Sequence, residues 1–307
     1  MIEVRGLTRR FGEVTAVRDL DLTVRSGECF GLLGPNGAGK TTTVRVLCAL
    51  IAPSSGSVRV AGIDLGDAGA GERIRGSIGL LPEHPGLYES LTARENLAFY
   101  AELFGLSPES SKERVQGLLE LLGLEKAADR ATATFSKGMK QKGALARALL
   151  HQPKALFLDE PTSGLDPFSA RVVKDVLLGL KKAGTTIFLS THNLPEAEEL
   201  CDRVGVLRQR LLAEGTPQQL ARRSSERRGR FRWRSGFRPE LARLQAIEGV
   251  GAIEVEPEGM RVTLADPTTQ LPGLVEEIVR EGARVTYAAE EVPSLEEAYL
   301  GIIGGPP

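Results

Sequence analysis

The chain has 307 residues, of which 41% are hydrophobic and 26% are charged, and its formal net charge is −1. This is the composition of a globular protein with room for two ordinary domains, and it gives no global electrostatic basis for a nucleic-acid or membrane partner. The amino terminus has no apolar signal-peptide core and no apolar run approaches the ~20 residues of a membrane span, so we expect a cytosolic chain that reaches a membrane only through a partner.

The larger, amino-terminal part of the chain alternates between strand and helix patterns. Strand patterns occupy residues 2–11, 21–34, 57–64, 153–161 and 184–192. The last two are apolar runs between turn-forming residues, as expected of parallel strands buried on both faces. Helix patterns over residues 40–50 and 168–182 lie between strands, and residues 86–150 show several helices without strand signals. The order predicts an α/β fold with a parallel core and a helical insert over about 86–150.

A change of composition near Ala221 predicts a second domain, so we place the boundaries at 1–220 and 221–307. The segment 222–238 is rich in arginine and holds the only tryptophan, Trp233. Strand, helix, strand, strand, helix and strand patterns then follow over residues 230–234, 240–247, 252–255, 260–264, 271–281 and 283–288. This β-α-β-β-α-β order predicts a small α+β, ferredoxin-like domain. Ser294, with Glu297 three residues later, predicts the capped start of a last short helix.

Residues 34–41, GPNGAGKT, satisfy the pattern G-x-x-x-x-G-K-[ST] directly after the strand pattern CFGLL. Glycines let successive backbone N–H groups turn toward phosphate oxygens, and the helix that follows presents its positive end to the same charge. In such a loop Lys40 reaches the β- and γ-phosphates, and the Thr41 hydroxyl binds Mg²⁺. We therefore predict a nucleotide site at this loop.

Polar residues follow two apolar strand patterns at the edge where open parallel sheets bind ligands. Asp159 and Glu160 end the run ALFLDE, and His192 ends TIFLSTH. Asp159 suits the shell of a Mg²⁺ ion, and Glu160 suits the polarisation of an attacking water. His192 can bridge the γ-phosphate and that carboxylate, whereas His84 and His151 are expected to be structural.

The cysteines give no sign of a covalent or metal framework. Cys29, Cys48 and Cys201 are widely separated and form no Cys-x-x-Cys pair. We expect them to be small buried residues in a reducing compartment, and predict neither a zinc site nor a disulfide framework.

With these residues in hand, the chain resembles the ATP-binding subunit of an ABC transporter over about residues 1–220. FSKGMKQKGALARALL resembles the signature motif and its helix, and it is followed by LFLDEPTSGLD and STH in the family's order. The resemblance implies a P-loop NTPase with a RecA-like parallel core, an antiparallel β subdomain and the helical insert. It also implies that the signature closes over the γ-phosphate held by a second subunit, and that residues 163–166, SGLD, cross the dimer seam.

The resemblance assigns a set of nucleotide contacts. The expected contacts to ATP are Phe11, Gly34, Pro35, Asn36, Gly37, Ala38, Gly39, Lys40, Thr41, Thr42, Ser136, Lys137, Gly138 and Asp166. The expected Mg²⁺ ligands are Thr41, Glu83 and Asp159, and the expected catalytic residues are Glu160 and His192. Ser136 is expected as the N-cap of the signature helix, beside the free N–H of Gly138.

The chain departs from the family pattern in three motifs. Lys137 and Met139 stand in the signature, where Gly and Gln are usual, and Glu83 stands at the position of the Q-loop glutamine. A carboxylate can still meet Mg²⁺ through oxygen, but it adds charge that the amide lacks. Phe11 replaces the usual tyrosine as the aromatic ring that stacks on adenine; the alternative is that Phe11 is a core residue at a strand end.

Together with the ending EVPSLEEAYL, these departures resemble a bacterial exporter subgroup of the family. The resemblance implies two ATP molecules sandwiched between two copies of the chain, or between it and a paralogous subunit, and a separately encoded integral-membrane permease. It implies export of a drug, antibiotic, lipid or sodium ion, and a peripheral location on the cytoplasmic face of the bacterial inner membrane. The substrate path would lie in the permease, so the sequence leaves the substrate open.

Two other classes of function compete with transport. The first is an ABC-type ATPase acting on nucleic acid, supported by the basic segment 222–238. In RFRWR, however, Phe231 and Trp233 can face a core while the arginines face water, or meet anionic lipid headgroups, and we expect no nucleic-acid partner. The second is a structural or sensory role, which would require an inactive site, although Lys40 and Glu160 are both present.

Overall fold

A computed structural model describes residues 1–223, 227–234, 236–291 and 294–304, with the side chain of Arg223 left aside. The chain divides into two compact units, Met1–Pro217 and Gln218–Pro307.

The amino-terminal unit is built from short strands and helices that largely follow the sequence patterns. Its strands are β1 (Ile2–Phe11), β2 (Val14–Val24), β3 (Cys29–Leu33), β4 (Ser55–Val60), β5 (Ile63–Asp64), β6 (Ile78–Leu81), β7 (Ala155–Asp159), β8 (Thr186–Thr191), β9 (Arg203–Arg208) and β10 (Arg210–Gly215). Its helices are α1 (Lys40–Leu47), α2 (Ala70–Ser77), α3 (Ala93–Leu103), α4 (Pro108–Leu121), α5 (Lys137–Leu149), α6 (Pro167–Lys182) and α7 (Leu194–Leu200). Helix α8 (Pro217–Arg223) begins at the boundary with the second unit.

Two sheets organise this unit. The central sheet has the order β10-β9-β3-β8-β7-β6, parallel from β9 to β6 and closed by the antiparallel strand β10. The second sheet is antiparallel, with the order β2-β1-β4-β5. Every residue of β3, β7 and β8 is buried, which explains why their sequences are apolar runs without alternation. The P-loop NTPase fold, with its antiparallel subdomain, is as predicted.

The core of this unit joins the two sheets through α1. Phe30 stacks on Phe188 with ring centroids 5.8 Å apart, and Phe157 meets Phe188 at 5.6 Å. These rings belong to the same buried cluster as Val4 of β1 and Leu47 of α1. Burial of aromatic side chains of this size is a main source of stability in a fold of this kind.

The prediction of a single strand over residues 21–34 is wrong. A turn separates β2 from β3, which belong to different sheets: Gly27 has φ +75, and the amide of Arg25 donates to Oε2 of Glu28 at 2.7 Å. The prediction over residues 57–64 likewise contains a turn at Gly62, with φ +80, between β4 and β5. Strands β6, β9 and β10 were not predicted.

The helical insert is confirmed. Helices α3, α4 and α5 occupy most of residues 86–150, together with two short 3₁₀ turns. Thr92 begins α3 with a complete capping box, in which its side chain and that of Glu95 each accept from the other residue's amide. Ser107 caps α4, and Pro108 stands at its first position.

The carboxyl-terminal unit has the predicted ferredoxin-like arrangement. Its elements are β11 (Arg228–Trp233), α9 (Leu241–Gln245), β12 (Val250–Glu256), β13 (Gly259–Leu264), α10 (Pro267–Arg280), β14 (Val285–Glu291) and α11 (Leu295–Gly304). The sheet order β12-β13-β11-β14 is antiparallel throughout. Phe231 and Trp233 are buried in its core, and the amide of Glu297 donates to the Ser294 hydroxyl at 3.2 Å.

Candidate nucleotide site

The loop between β3 and α1 is shaped by glycines. Gly39 precedes α1 with φ +102, and a Cβ there would overlap the carbonyl oxygen of Ala16. A Cβ at Gly34 would overlap the carbonyl oxygen of Leu207. Gly37, with φ +80, has nothing within 4 Å of its Cβ position. The backbones of β2 and β9 thus lie so close to the loop that Gly34 and Gly39 cannot carry a side chain. The loop leaves space at the positive, amino-terminal end of α1.

Lys40, the first residue of α1, turns its ammonium group into this loop. Nζ donates to the carbonyl oxygens of Gly34 at 2.7 Å and Pro35 at 3.3 Å, and it lies 3.6 Å from Oε1 of Glu160. The side chain is only 7% exposed. This buried ammonium group is held only by weak carbonyl partners and one carboxylate. Anionic oxygens that enter the loop can therefore attract the Lys40 ammonium group away from these partners.

Glu160 lies just beyond β7 in a backbone conformation that L-residues seldom adopt. Its φ is +52, and its amide donates to the carbonyl oxygen of Ser190 at 2.9 Å, so strand β8 fixes the turn. Its Oε2 lies 2.8 Å from Nδ1 of His192. Strain of this kind is concentrated at functional sites. The structure therefore brings together Lys40, Glu160 and His192 from three separate segments of the chain.

Asp159, the last residue of β7, is buried beside Ser190. It is 3% exposed, and its Oδ1 accepts a short hydrogen bond from the Ser190 hydroxyl, a partner that the sequence does not single out. Thr41 and Glu83 line the neighbouring cleft. One hydroxyl and two carboxylates are hard oxygen donors of the kind that Mg²⁺ prefers, so the chemistry of these residues fits that ion.

A cleft of about 570 Å³ opens over the loop. Its lining residues are Phe11, Val14, Thr15, Ala16, Pro35, Asn36, Gly37, Ala38, Gly39, Lys40, Thr41, Thr42, Glu83, Glu160, Ser163, His192 and Gln209. Phe11 is 47% exposed, with the Arg9 guanidinium 4.4 Å from its ring centroid, so the alternative of a core residue is wrong.

The cleft contains residues that the sequence analysis missed. Val14, Thr15 and Ala16 form the start of β2, and Gln209 lies in the turn between β9 and β10 with φ +60. The Gln209 amide donates to the Ala38 carbonyl at 2.9 Å. Pairing between distant strands brings these residues to the cleft. In the sequence, the only signal for them is their nearness to Phe11 or to a turn.

The other predicted nucleotide contacts form a second cluster that does not line the cleft. Ser136 caps α5, its hydroxyl accepting from the Met139 amide at 3.2 Å. Gly138 packs so tightly on Ser169, at the start of α6, that a Cβ would overlap the Ser169 hydroxyl. Asp166 caps α6, and its hydrogen bonds from Ser169 hold the pKa of Asp166 below its usual value. The amino termini of α5 and α6 thus lie side by side.

The loop between Glu160 and α6 connects the cleft to this cluster. Ser163 lines the cleft, and the next residue, Gly164, packs against the ammonium group of Lys137, which a Cβ on Gly164 would overlap. A conformational change in the cleft can therefore be transmitted to this second cluster through the adjacent residues Ser163 and Gly164.

A second cleft, of about 630 Å³, lies between the insert and the amino-terminal end of β6. His151 stacks on Phe104 with ring centroids 3.9 Å apart, and its Nε2 lies 2.8 Å from the Ile78 carbonyl oxygen. Burial, and secondarily the Arg114 charge, lower the pKa of His151. The Arg114 guanidinium donates to the carbonyl oxygens of Leu149 and Leu150 at the end of α5. These contacts show that His151 has a structural role, as a side chain packed against its neighbours.

Comparison with known proteins agrees with this geometry. The family model described as ABC transporter matches residues 17–163. Nod factor export ATP-binding protein I of Rhizobium sp. (strain N33) is 40% identical over 310 residues, covering 99% of this chain and 97% of that protein. This chain belongs to the ABC transporter ATP-binding proteins. As a member of that family, this ABC ATPase binds ATP and hydrolyses it.

Other relatives and solved structures support the assignment. The ABC transporter ATP-binding protein YxlF of Bacillus subtilis is 34% identical over 99% of both chains, whereas the probable multidrug protein YbhF of Escherichia coli is 40% identical over 73% of this chain and 39% of its own length. A structure titled as the ATP binding subunit of an ABC transporter has a TM-score of 0.67 and 36% identity, covering 72% of this chain and 92% of that one. The dimeric bacterial cassette MJ0796 has a TM-score of 0.65 and 27% identity, covering 70% and 98%.

Within the part of the chain that the structure describes, no helix is both long and apolar enough to cross a membrane.

Proposed function

We propose that this ABC ATPase is the energy-supplying subunit of a bacterial exporter, in which two chains close on two ATP molecules and drive a separate membrane permease. One observation carries the proposal. The nucleotide cleft holds Lys40, Glu160 and His192, while the anion-binding ends of α5 and α6 form a cluster that does not line it. A single chain therefore carries two half-sites for phosphate.

The cleft residues have distinct roles in this proposal. The loop amides and Lys40 bind the phosphates, and Phe11 stacks on adenine. Glu160 polarises the attacking water, and His192 orients that carboxylate and contacts the γ-phosphate. Thr41, Asp159 and Glu83 would hold Mg²⁺, which neutralises phosphate charge when bound.

The second cluster is assigned to the nucleotide of the other chain. Ser136, Lys137 and Gly138 present a helix amino terminus and one positive charge, which suit the γ-phosphate. A second copy, or a paralogous ATPase subunit, would supply the cleft that they cover. Cleavage of the γ-phosphate removes the group that both chains hold, so the dimer reopens. The dimeric structure of MJ0796, and its state with ADP and Pi, support this arrangement.

Two features of the insert suit contact with a permease. The second cleft lies between the insert and the sheet, and Tyr88 and Phe99 form an exposed aromatic pair with ring centroids 5.2 Å apart, a few residues beyond Glu83. Exposed aromatic patches mark protein interfaces, and the loop from Glu83 links this one to the cleft. Export names among the relatives support the direction of transport. The chain would then lie on the cytoplasmic face of the inner membrane.

The basic segment gives little support to a nucleic-acid role. Phe231 and Trp233 are buried, so they cannot stack on bases. Arg230 lies 3.5 Å from Glu256, and Arg227 lies 3.2 Å from both Asp266 and Glu290. Neutralised arginines bind phosphate weakly, and we expect no salt-dependent retention of duplex DNA in a filter-binding assay.

The test of the dimer is the mass of the Glu160→Gln variant in light scattering. With Mg-ATP it is expected to shift from one 33.0 kDa chain to two, because the γ-phosphate is no longer cleaved. Lys40→Ala, which weakens phosphate binding, is expected to stay monomeric. A monomer for Glu160→Gln at saturating Mg-ATP would contradict the sandwich of two copies.

The test of the permease is a pull-down of the tagged chain from detergent-solubilised native membranes. Recovery of a polytopic membrane protein by wild type and by Tyr287→Asp, but not by Phe99→Asp, would support transport. Tyr287 is an exposed aromatic residue of the other unit and is a matched control. Recovery of nucleic acid or of soluble proteins alone would favour the alternative of an ABC-type ATPase acting on nucleic acid.

A further inference from the structure

A carboxyl group is buried beneath the catalytic turn, in helix α7. Glu196 is only 1% exposed, and the assignment of ATP, Mg²⁺ and catalytic contacts gives it no role. It does not line the cleft, so it does not touch substrate. Acidic side chains are almost never fully buried unless something nearby requires them.

Glu196 makes a specific contact with the loop that follows Glu160. The Thr162 hydroxyl donates to Oε1 of Glu196 at 2.7 Å, and both side chains are buried. Oε2 is also buried, and it has no hydrogen-bond partner among the described residues. One oxygen of this carboxyl group therefore makes the contact with Thr162.

The same helix is tied to the segment that carries His192. Asn193 caps α7 by accepting from the Glu196 amide at 3.2 Å, and the Asn193 amide donates to the Thr191 hydroxyl at 3.0 Å. Thr191 precedes His192 directly, and Thr162 follows Glu160 by two residues. Glu196 thus lies where the two turns that carry the catalytic pair meet.

The surroundings of Glu196 also act on its pKa. Burial raises the pKa of Glu196, against lowering effects of hydrogen bonds from the Thr162 and Thr191 hydroxyls and of the Lys174 charge, and the Glu160 charge adds only the smallest raising effect.

We propose that Glu196 is a positioning residue that holds the Glu160 turn against the His192 turn through Thr162. The inference rests on the proposed roles of Glu160 and His192. Glu160 has a strained backbone, and Ser163, beside Thr162, lines the cleft, so a loose Thr162 would misplace both. Misplacement of a catalytic group lowers turnover more than it lowers binding.

The experiment measures kcat and KM for Mg-ATP, the Kd of a fluorescent ATP analogue and Tm for a set of variants. Glu196→Leu is expected to lower kcat by roughly tenfold to a hundredfold, with Kd changed by less than about threefold. Glu196→Gln keeps an oxygen that accepts from Thr162 and is expected to restore most of kcat. Thr162→Val removes the same contact from the other side and is expected to reproduce the loss, with no further loss in the double variant.

Glu199→Leu is the matched control. Glu199 lies on the same helix but is paired with Lys174 on its partly exposed side, at 2.7 Å, so this variant is expected to keep wild-type kcat. If Glu196→Leu fails to fold, Thr162→Val decides the question alone. Wild-type kcat in Thr162→Val, or equal losses for Glu196→Gln and Glu196→Leu, would overturn the proposal.

Glu160→Gln separates this inference from the proposed function. If that variant hydrolyses ATP at the wild-type rate, the proposed role of Glu160 fails, and this inference fails with it. If Glu160→Gln is inactive while Thr162→Val turns over normally, the proposed function stands and only the role of Glu196 is overturned.

Discussion

The Nδ1 atom of His192 lies 2.8 Å from Oε2 of Glu160, while Nζ of Lys40 lies 3.6 Å from the other oxygen of the same carboxylate. One carboxylate thus joins a cation that can bind phosphate and an imidazole at the mouth of the cleft. Under the proposed function, an incoming γ-phosphate would compete for both partners of Glu160. Binding of nucleotide would in this way be coupled to the freedom of Glu160, the carboxylate proposed to activate water.

The first prediction concerns this pair. His192→Ala is expected to lower kcat for ATP hydrolysis by roughly 10²-fold, with little change in nucleotide affinity, because the variant keeps the loop but loses the group that orients Glu160. Steady-state ATPase assays and nucleotide titration check it. His84→Ala, a change at an exposed histidine outside the cleft lining, is the control. Equal activities of the two variants would contradict the role of His192.

The second prediction concerns stacking on adenine. Phe11→Ala is expected to weaken ATP binding by about 1–3 kcal/mol, because an exposed ring at the cleft loses its contact with the base. Phe11→Tyr retains the ring and is expected to bind normally. Isothermal titration with a non-hydrolysable ATP analogue measures the difference. Phe11→Ala binding as tightly as wild type would place adenine elsewhere.

The third prediction concerns the backbone of the phosphate loop. Gly39→Ala is expected to abolish nucleotide binding, because the residue has φ +102 and its Cβ would overlap the Ala16 carbonyl oxygen. A strained backbone of this kind costs about 1–3 kcal/mol even before the clash is relieved. Gly117→Ala, in α4 where a Cβ meets nothing, is expected to bind normally and to melt slightly higher. Fluorescence titration and thermal melting compare the two.

The fourth prediction separates dimer closure from nucleotide binding. In the Glu160→Gln background, Ser136→Ala is expected to lose the ATP-dependent dimer, because it removes the cap of α5 at the proposed γ-phosphate contact, while each chain still binds ATP. Loss of a cap costs about 0.5–2 kcal/mol. Ser107→Ala removes the matching cap of α4, in which the Ser110 amide donates to the hydroxyl at 3.3 Å, and is expected to dimerise normally. Light scattering with Mg-ATP that shows the same dimer for both variants would contradict the assignment.

The fifth prediction concerns acid stability. Burial lowers the pKa of His151 in the folded chain, so the unfolded chain takes up the proton first as the pH falls below about 6.5, the ordinary value. His151 therefore destabilises the fold below that pH and adds no pH dependence above it. His151→Gln is expected to show a smaller drop in Tm between pH 7.5 and pH 5.5 than wild type or His84→Gln. An equal drop in all three would contradict it.

Several features were predictable because they depend on local patterns. The phosphate loop was predicted from its glycine spacing, and the strands before Glu160 and His192 from their apolar runs. In the carboxyl-terminal unit, the alternation of Phe231 and Trp233 with arginines predicted which side chains are buried. Each of these signals lies within a few residues of the feature it predicts.

Other features depend on contacts between distant segments. The turn at Gly27 sends β2 and β3 into different sheets, although their sequences join as one strand pattern. Gln209 reaches the cleft because β9 pairs with β3, and Ser190 reaches Asp159 because β8 pairs with β7. In the sequence, Glu196 is one of several acidic residues in a short helix. Its burial against Thr162 follows from the packing of α7.

The sequence by itself determined the chemistry of the nucleotide loop, the α/β character of the larger unit, the β-α-β-β-α-β order of the smaller unit, and the family. The tertiary structure decided which residues share the cleft, that the signature residues form a separate cluster, and which acid lies beneath the turn that carries Glu160. The physical reason is that the effects of a glycine, of the periodic spacing of apolar residues and of a capping residue extend over only a few residues of the chain. Burial and charge at a site are set by which strands and helices pack together, often far apart in the sequence.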